Sequence, residues 1–235
     1  GITVNTQFTA RRLRELGVDA PIFYVPNGVD RQRFAEVAET DLNALKARLS
    51  LMDSVVVYVG SMSLISHAVD LLLEAFVYVR RRLPTAKLVL VGGGEDFSAL
   101  KKYAARLGLN DSVVFVGRVE PYQVPAYYAI GDVSVDPVRD TPGMQARSPL
   151  KVIESLVCGV PVVTSDVGDR GVQLAEGGGL LVPPADAASL GDALVTVLEN
   201  EELRCHLSLE STNVGARYYW DELVKDFVRV YQLGV

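Results

Sequence analysis

The chain is predicted to fold as an α/β domain built on a doubly wound, mostly parallel sheet of the Rossmann-like kind. From about residue 41 onward, short runs of apolar β-branched residues alternate with longer helical segments. Such runs, apolar throughout, are typical of strands that helices cover on both faces. Because 49% of the 235 residues are hydrophobic and 22% are charged, the chain can bury one substantial core of this kind.

The elements follow in order from the local sequence. The first thirty residues are expected to form a strand, a helix and a second strand, which ends in the turn cluster 26–30. The next expected helices and strands alternate: helices 41–49, 70–82, 96–107 and 124–129, and strands 55–59, 87–91, 113–116 and 133–136. After a helix near 149–158, the remaining elements are strands 160–163 and 180–182 and helices 187–198, 201–213 and 220–231.

The helix near 149–158 carries the strongest candidate for a site. Ser148 suits the N-cap, Pro149 the first helical position and Gly159 the stop. Lys151 and Glu154 share a face of this helix. A lysine in the first turn opposes the helix dipole unless an anion binds there, which indicates a phosphate site. An ordinary surface Lys–Glu pair explains the same spacing about equally well.

The composition excludes several classes of function. A net charge of −6 and a pI of about 5.0 argue against a nucleic-acid-binding protein. No apolar run approaches the roughly 18 residues of a membrane helix. The two cysteines, Cys158 and Cys205, indicate neither a disulfide framework nor a zinc site. We therefore expect a protein of the reducing cytoplasm, either free or peripheral at the inner face of the membrane.

Several motifs together resemble the retaining family 4 (group 1) glycosyltransferases, which have the GT-B fold. The run Lys-Val-Ile-Glu-Ser-Leu-Val-Cys-Gly-Val-Pro-Val-Val-Thr-Ser at 151–165 is similar to the donor-site motif of that family. Pro-Asn-Gly-Val-Asp at 26–30, followed by Phe34, resembles its interdomain linker, and Val-Gly-Gly-Gly at 91–94 its Val-Gly-x-Gly turn. The resemblance covers nearly the whole chain, and the order of the motifs is more specific than any one of them.

The resemblance implies that the chain is one half of a GT-B enzyme. Residues 1–20 would be a remnant of the acceptor-side N-terminal domain and 21–40 the linker. Residues 41–215 would form the nucleotide-sugar-binding domain, and 216–235 a C-terminal helix crossing back toward the first domain. The implied activity is metal-independent, retaining glycosyl transfer from a nucleotide-diphosphate sugar, with no cofactor.

The family motif also implies roles for individual residues. Glu154 matches the glutamate that grips the donor ribose. The residues at the start of its helix would face the diphosphate together with the loop after the first domain strand: Gly60, Ser61, Arg147, Ser148, Leu150 and Lys151. The backbone near Arg118 and Val119 would pair with the base, although a plain strand-to-helix turn explains that segment equally well.

The sequence departs from the family pattern at two places. Ser61 stands where relatives usually carry an arginine, and Arg147 is expected to replace its charge, because arginine suits phosphate. Ala146 stands where relatives carry a first glutamate for the sugar. Asp140 and His67 are weaker candidates for that sugar contact, although His67 is more often an ordinary loop residue. No catalytic residue is assigned.

Two other functions stay open beside glycosyl transfer: a nucleotide-sugar epimerase on the same fold, and a nucleotide-binding module without transfer activity. The expected partners are the donor and an acceptor that is a saccharide, a lipid-linked saccharide or a small molecule, with no nucleic acid. Apolar stripes on the last helix (Trp220, Leu223, Phe227 and Tyr231) and the front helix (Phe8 and Leu13) predict some self-association. We expect the isolated chain to bind nucleotide weakly and to transfer no sugar.

Overall fold

The first 25 residues form a small β-α-β unit. Strand β1 (Ile2–Val4) pairs in parallel with β2 (Ile22–Tyr24), and helix α1 (Gln7–Glu15) connects them. The structure, a computed structural model, describes residues 1–232. The predicted strand–helix–strand order of this segment is confirmed.

Six parallel strands form the main sheet. They are β3 (Val55–Val59), β4 (Lys87–Val91), β5 (Val113–Gly117), β6 (Val133–Asp136), β7 (Val162–Ser165) and β8 (Gly179–Val182). Their order across the sheet is β5-β4-β3-β6-β7-β8. Counted from the first strand of this sheet, that is the 3-2-1-4-5-6 order of the doubly wound dinucleotide-binding fold. The predicted fold class is confirmed.

Helices cover both faces of this sheet. The helices that follow α1 are α2 (Glu39–Arg48), α3 (Leu64–His67), α4 (Val69–Arg82), α5 (Phe97–Arg106), α6 (Val124–Ala129), α7 (Pro142–Gln145), α8 (Leu150–Val157), α9 (Arg170–Gln173), α10 (Ala187–Glu199), α11 (Glu201–Gly215) and α12 (Trp220–Gln232). Two 3-10 turns, 121–123 and 216–218, precede α6 and α12. Within residues 1–232, no helix has both the length and the apolar character that crossing a bilayer requires.

The core is divided by the sheet into two layers. On β3, Val56 and Tyr58 pack in one cluster with the apolar residues of α4 and α10. Val55 and Val57 point to the opposite face and join a cluster with α6 and α8. This alternation follows from the two-residue period of a strand and explains why β3 is apolar at every position.

The predicted start of the site helix is wrong by one residue. Pro149 has an extended backbone (φ −74°, ψ 109°) and occupies the cap position, so α8 begins at Leu150. Ser148 does not cap the helix, because its Oγ is buried without a hydrogen-bond partner in the described part of the chain. The following strand was also predicted too early: β7 begins at Val162, after Pro161, which has no N–H to donate.

Segments near the two ends of the chain contact each other, and the front one also contacts the loop after β7. The N–H of Val29 donates to the carbonyl of Tyr218 at 2.8 Å, and the N–H of Trp220 donates back to Val29 at 3.0 Å. At the front, the N–H of Gln7 donates to both carboxylate oxygens of the buried Asp169, at 2.9 and 3.0 Å. These contacts hold the segment before α2 and the start of α1 beside the carboxyl edge of the sheet.

Candidate functional site

A cleft of about 480 Å³ opens at the carboxyl edge of the main sheet. It lies at the point where the strand order reverses. In the sheet, β3 lies between β4 and β6, so the strands that follow β3 in sequence lie first on one side of it and then on the other. Ligands of doubly wound folds bind in the crevice at this switch point. The residues that line it come from the ends of β3 and β6 and the loops after them, from α6, α8 and α9, and from the front segment: Asn5, Asn27, Val59, Gly60, Ser66, His67, Val124, Asp136, Pro137, Val138, Arg147, Ser148, Pro149, Leu150, Lys151, Glu154 and Arg170.

A buried ionic network forms the floor of the cleft. Asp136, the last residue of β6, accepts from Lys151 Nζ at 3.0 Å and from Arg170 Nε at 2.7 Å. Burial alone would raise the pKa of Asp136, but the charges and hydrogen bonds of these two cations lower it to about 2. Asp136 is therefore ionised, and the three groups together carry one net positive charge. This arrangement excludes a surface Lys–Glu pair as the role of Lys151.

The start of α8 is open toward the cleft. The backbone N–H groups of Leu150 and Lys151 have no acceptor within residues 1–232, and the first amide bonded in the helix is that of Val152. Ser148 also lines the cleft, and its buried Oγ has no hydrogen-bond partner in the described part of the chain. Free amides at the positive end of a helix, with a hydroxyl next to them, are the groups that bind an anion.

Glu154 lies one turn further along α8 and also lines the cleft. Its Oε2 accepts a hydrogen bond from the hydroxyl of Tyr128 at 3.1 Å. Burial raises the pKa of this carboxyl, whereas the Tyr128 hydroxyl, Arg33 and Lys151 act in the opposite direction. A half-buried carboxylate with one oxygen engaged and the other without a hydrogen-bond partner in the described residues can accept from a ligand's hydroxyl groups.

The loop after β3 comes very close to the glycine turn after β4. A Cβ added at Gly92 would lie 1.9 Å from the carbonyl oxygen of Gly60, and one at Gly94 would lie 2.4 Å from that of Met62. The two backbones therefore leave no room for a side chain at Gly92 or Gly94. Gly60 lines the cleft, whereas Ser61 does not: its carbonyl accepts from the Tyr58 hydroxyl at 2.8 Å.

Arg147 and His67 form the rim of the cleft. Arg147 is exposed, and its Nη1 donates to the carbonyl of Ser66 at 2.9 Å. His67 Nδ1 lies 2.8 Å from Ser66 Oγ. Burial, together with the charges of Lys151 and Arg147, lowers the pKa of His67 to about 4, so this imidazole is neutral at pH 7.

Besides Ser61, three residues with predicted roles lie outside the cleft lining. Arg118 is exposed and packs over Gly93, and Val119 is half-buried against the apolar cluster under α6. Asp140 is exposed and accepts from Gln145 Nε2 at 2.6 Å. The base contact of the first two and the sugar contact of Asp140 stay predictions, as does the diphosphate contact of Ser61.

Several residues of the site were not predicted from the sequence. Asp136 ends an apolar strand, a position at which a carboxylate signals a site in parallel sheets, but the sequence offered no sign of its partner Arg170. The front segment was not assigned to the cleft either. Asn27 Nδ2 donates to the carbonyl of Ser148 at 3.0 Å, and Asn5 Nδ2 lies 3.4 Å from Asn27 Oδ1. No group of three or more potential metal ligands occurs within residues 1–232.

Comparison with known proteins places this arrangement in a family. The family model of the glycosyl transferases group 1 matches residues 53–200. A GDP-mannose-dependent monoacylated alpha-(1-6)-phosphatidylinositol monomannoside mannosyltransferase of Corynebacterium glutamicum is 27% identical over 98% of the chain and 61% of the relative. A phosphatidyl-myo-inositol mannosyltransferase of Mycobacterium tuberculosis is 31% identical over 95% of the chain and 57% of the relative. The chain thus spans about 60% of the length of these relatives.

Solved structures of glycosyltransferases have the same fold as this chain. A sucrose-phosphate synthase of Thermosynechococcus elongatus superposes with a TM-score of 0.81 and 26% identity, over 98% of this chain and 57% of that one. A glycosyltransferase of Rickettsia africae shares the fold, with a TM-score of 0.84 and 15% identity over 98% of this chain and 62% of that one. On the family match and the cleft at its switch point, the chain belongs to the group 1 glycosyltransferases.

Proposed function

We propose that the cleft binds a nucleotide-diphosphate sugar and that the chain supplies the donor-binding half of a retaining glycosyltransferase. The observation that carries this proposal is the open start of α8. Ser148, Leu150 and Lys151 line the same cleft as Glu154, which lies one helical turn away. Among the described residues, the last two of these three have backbone amides without an acceptor and the first has a buried hydroxyl without a partner. An anion site next to a hydroxyl-binding carboxylate matches the order of groups in a nucleotide, diphosphate then ribose.

The diphosphate would lie against the start of α8. The N–H groups of Leu150 and Lys151 and the Ser148 hydroxyl would donate to its oxygens, and Arg147 would reach it from the rim. The buried network of Asp136, Lys151 and Arg170 adds one positive charge beneath it. Because these donors are held in a partly water-excluded site, their attraction for the phosphates is stronger than in bulk water.

The same groups would assist the departure of the leaving group. When the bond between the anomeric carbon and the diphosphate oxygen breaks, negative charge increases on that oxygen. Preorganised amides and cations at this position stabilise the developing charge and lower the barrier. His67 would act as a neutral hydrogen-bonding group at neutral pH, because its pKa is about 4.

The relatives suggest which donor and acceptor to test first. Two similar proteins, from Corynebacterium glutamicum and Mycolicibacterium smegmatis, are named GDP-mannose-dependent phosphatidylinositol monomannoside mannosyltransferases. We therefore propose GDP-mannose as the first donor to test and a lipid-linked saccharide as the class of acceptor. An acceptor of that class would bring the protein to a membrane surface.

The experiment is a calorimetric binding screen of GDP, UDP and ADP and their sugars, followed by substitution of Glu154. A charged hydrogen bond contributes roughly 1.5–3 kcal/mol, so Glu154→Gln should weaken the best nucleotide at least about tenfold. Glu199→Gln is the matched control, because this glutamate pairs with Arg82 on the surface, outside the cleft lining. Unchanged affinity in Glu154→Gln would show that Glu154 does not hold the nucleotide.

A further inference from the structure

Tyr128 is a buried tyrosine whose hydroxyl contacts Glu154, a residue of the cleft lining, from the core of the domain. It belongs to α6, is 1% exposed, and is packed among the apolar residues between β3 and α8. Its hydroxyl lies 3.1 Å from Glu154 Oε2 and 3.2 Å from the carbonyl oxygen of Lys151. One phenolic proton is therefore available to two acceptors, of which the carboxylate is the stronger.

The carboxyl of Glu154 has charged and titratable neighbours on several elements. Burial raises its pKa, and the hydrogen bond from Tyr128 is the first influence that lowers it, ahead of two nearby cations. Four other charged or titratable groups lie near Tyr128 and Glu154. They come from the segment before α2, from α8 and the residue after it, and from β6: Arg33, Lys151, Cys158 and Asp136.

We propose that Tyr128 is a positioning residue for donor binding: by holding Oε2 of Glu154, it turns Oε1 toward the ribose hydroxyls of the nucleotide. This inference rests on the proposed function of the cleft. The carboxylate lies near the end of a side chain with three rotatable bonds, and a second anchor removes much of that freedom before the ligand arrives. Binding then costs less ordering of the side chain.

A purely structural role makes a different prediction. A buried phenol needs one hydrogen-bond partner, and the Lys151 carbonyl alone could supply it. In that case removal of the hydroxyl would change the stability of the fold and leave the nucleotide affinity as it was. The distinction therefore lies in the affinity and its dependence on pH.

The test compares Tyr128→Phe with Tyr127→Phe in titrations with guanosine and GDP, or with uridine and UDP if the screen selects them, between pH 5 and 8. Tyr127 is the preceding residue, is 3% exposed, and has a hydroxyl that accepts from Arg48 outside the cleft lining. We expect Tyr128→Phe to weaken nucleoside and nucleotide alike, about five- to tenfold at pH 8, because the ribose is common to both. Tyr127→Phe should bind like the unchanged chain.

The pH profile gives the second readout. Without the phenolic donor the carboxylate of Glu154 is less stabilised, so its pKa rises. The affinity of Tyr128→Phe should therefore begin to fall at a higher pH than that of the unchanged chain. In the Glu154→Gln background, where there is no carboxylate to position or to titrate, Tyr128→Phe should have little further effect on either readout.

The outcomes are distinguishable. If Glu154→Gln weakens binding while Tyr128→Phe matches Tyr127→Phe in affinity and pH profile, the positioning role is overturned and the proposed function stands. Equal losses from Tyr128→Phe with and without the Glu154 carboxylate would overturn it as well, because the effect would not act through Glu154. If Glu154→Gln itself leaves binding unchanged, both the ribose assignment and this inference fail.

Discussion

Arg147 differs from the other cations of the cleft in the part of the chain that the structure describes. Lys151 and Arg170 are both engaged with Asp136, whereas Arg147 is exposed and donates to a backbone carbonyl. An exposed guanidinium at the mouth of an anion site can reorient toward a phosphate without leaving a buried charge unpaired. Arg147 is therefore the side chain whose loss should act most selectively on the phosphate groups.

We predict that Arg147→Ala weakens GDP about tenfold and leaves the affinity for guanosine within about twofold, because only GDP carries the charge that Arg147 attracts. Calorimetric titration of both ligands measures the difference. The control is Arg11→Ala, an exposed arginine on α1 outside the cleft lining. Equal losses for nucleoside and nucleotide would show that Arg147 does not contact the phosphates.

The buried carboxylate of Asp136 should dominate the stability of the site. We predict that Asp136→Asn lowers the free energy of unfolding by about 3–5 kcal/mol at pH 7, because two buried cations lose their counter-ion. The pKa of Asp136 is about 2 in the fold and about 3.9 in an unfolded chain. The contribution of ionised Asp136 to the free energy of unfolding is thus present above about pH 4 and is lost as the pH falls toward 2.

Urea unfolding at pH 7 and pH 3 tests whether the stabilisation by ionised Asp136 decreases at low pH. The difference in free energy of unfolding between the unchanged chain and Asp136→Asn should be smaller at pH 3 than at pH 7 by roughly 1 kcal/mol. The control is Asp192→Asn, a change at an exposed residue of α10, for which this difference should not depend on pH in the same way. A gap that stays constant or widens on acidification would contradict the ionised state of Asp136.

Single residues were predictable from sequence where a local rule applies. Lys151 and Glu154 were placed on one helix face, and Arg147 next to its start, by spacing alone, and all three line the cleft. The partners Asp136 and Arg170 are 34 residues apart and meet only because β6 and β7 are neighbours. Ser148 was assigned the wrong role because the extended backbone of Pro149 takes the cap position.

Among the secondary-structure elements, the glycine turn after β4 fixes how closely the loops around the cleft approach. We predict that Gly92→Ala destabilises the fold by about 2 kcal/mol more than Gly108→Ala. Both glycines have positive φ, +132° and +74°, but a Cβ at Gly92 meets the Gly60 backbone and one at Gly108 meets nothing within 4 Å. An alanine is strained at both positions, more at φ +132° than near the left-handed helical region at +74°, and only the one at residue 92 also meets the Gly60 backbone.

Denaturant unfolding of the two variants measures this difference directly. Gly92→Ala should also weaken nucleotide binding, because it would displace Gly60, which lines the cleft. Gly108→Ala should leave the affinity unchanged. Equal stabilities of the two variants would show that the loop after β3 can move away from the turn at little cost.

Elements with a clear apolar pattern were predictable from the sequence, whereas helices of a single turn were not. Strands β3, β4 and β6 and helix α6 lie where the apolar runs and their flanking residues predicted them. Helices α3, α7 and α9, four residues each, were missed. One turn of helix is too short to show a hydrophobic period, and its formation depends on contacts made by the rest of the fold.

Considered as a whole, the molecule exposes an apolar surface on its last helix. Trp220, Val224, Val228 and Tyr231 of α12 are between 43% and 76% exposed, while Leu223 on the same helix is buried. Exposed apolar patches of this kind favour association. We predict concentration-dependent self-association of this chain in sedimentation velocity, reduced by the double substitution Val224→Glu and Val228→Glu. A chain that stays monomeric at every concentration would contradict this.

The fold class was predictable at this scale because alternating helices and fully apolar strands leave few other arrangements. The order of the strands was not, since local patterns do not determine which strands are neighbours. That order creates the switch point between β3 and β6, and with it the cleft. The front β-α-β unit was predicted as elements, but its approach to the cleft through Asn5 and Asn27 depends on long-range contacts such as the one between Gln7 and Asp169.

The most direct test of nucleotide binding in this cleft is a crystal structure of the chain with the nucleoside diphosphate that binds best in the screen. We predict phosphate oxygens within hydrogen-bonding distance of the N–H groups of Leu150 and Lys151, and ribose hydroxyls on Glu154. A nucleotide bound elsewhere, for example in the groove of about 400 Å³ between α2 and α6, with the start of α8 unliganded, would contradict nucleotide binding in this cleft.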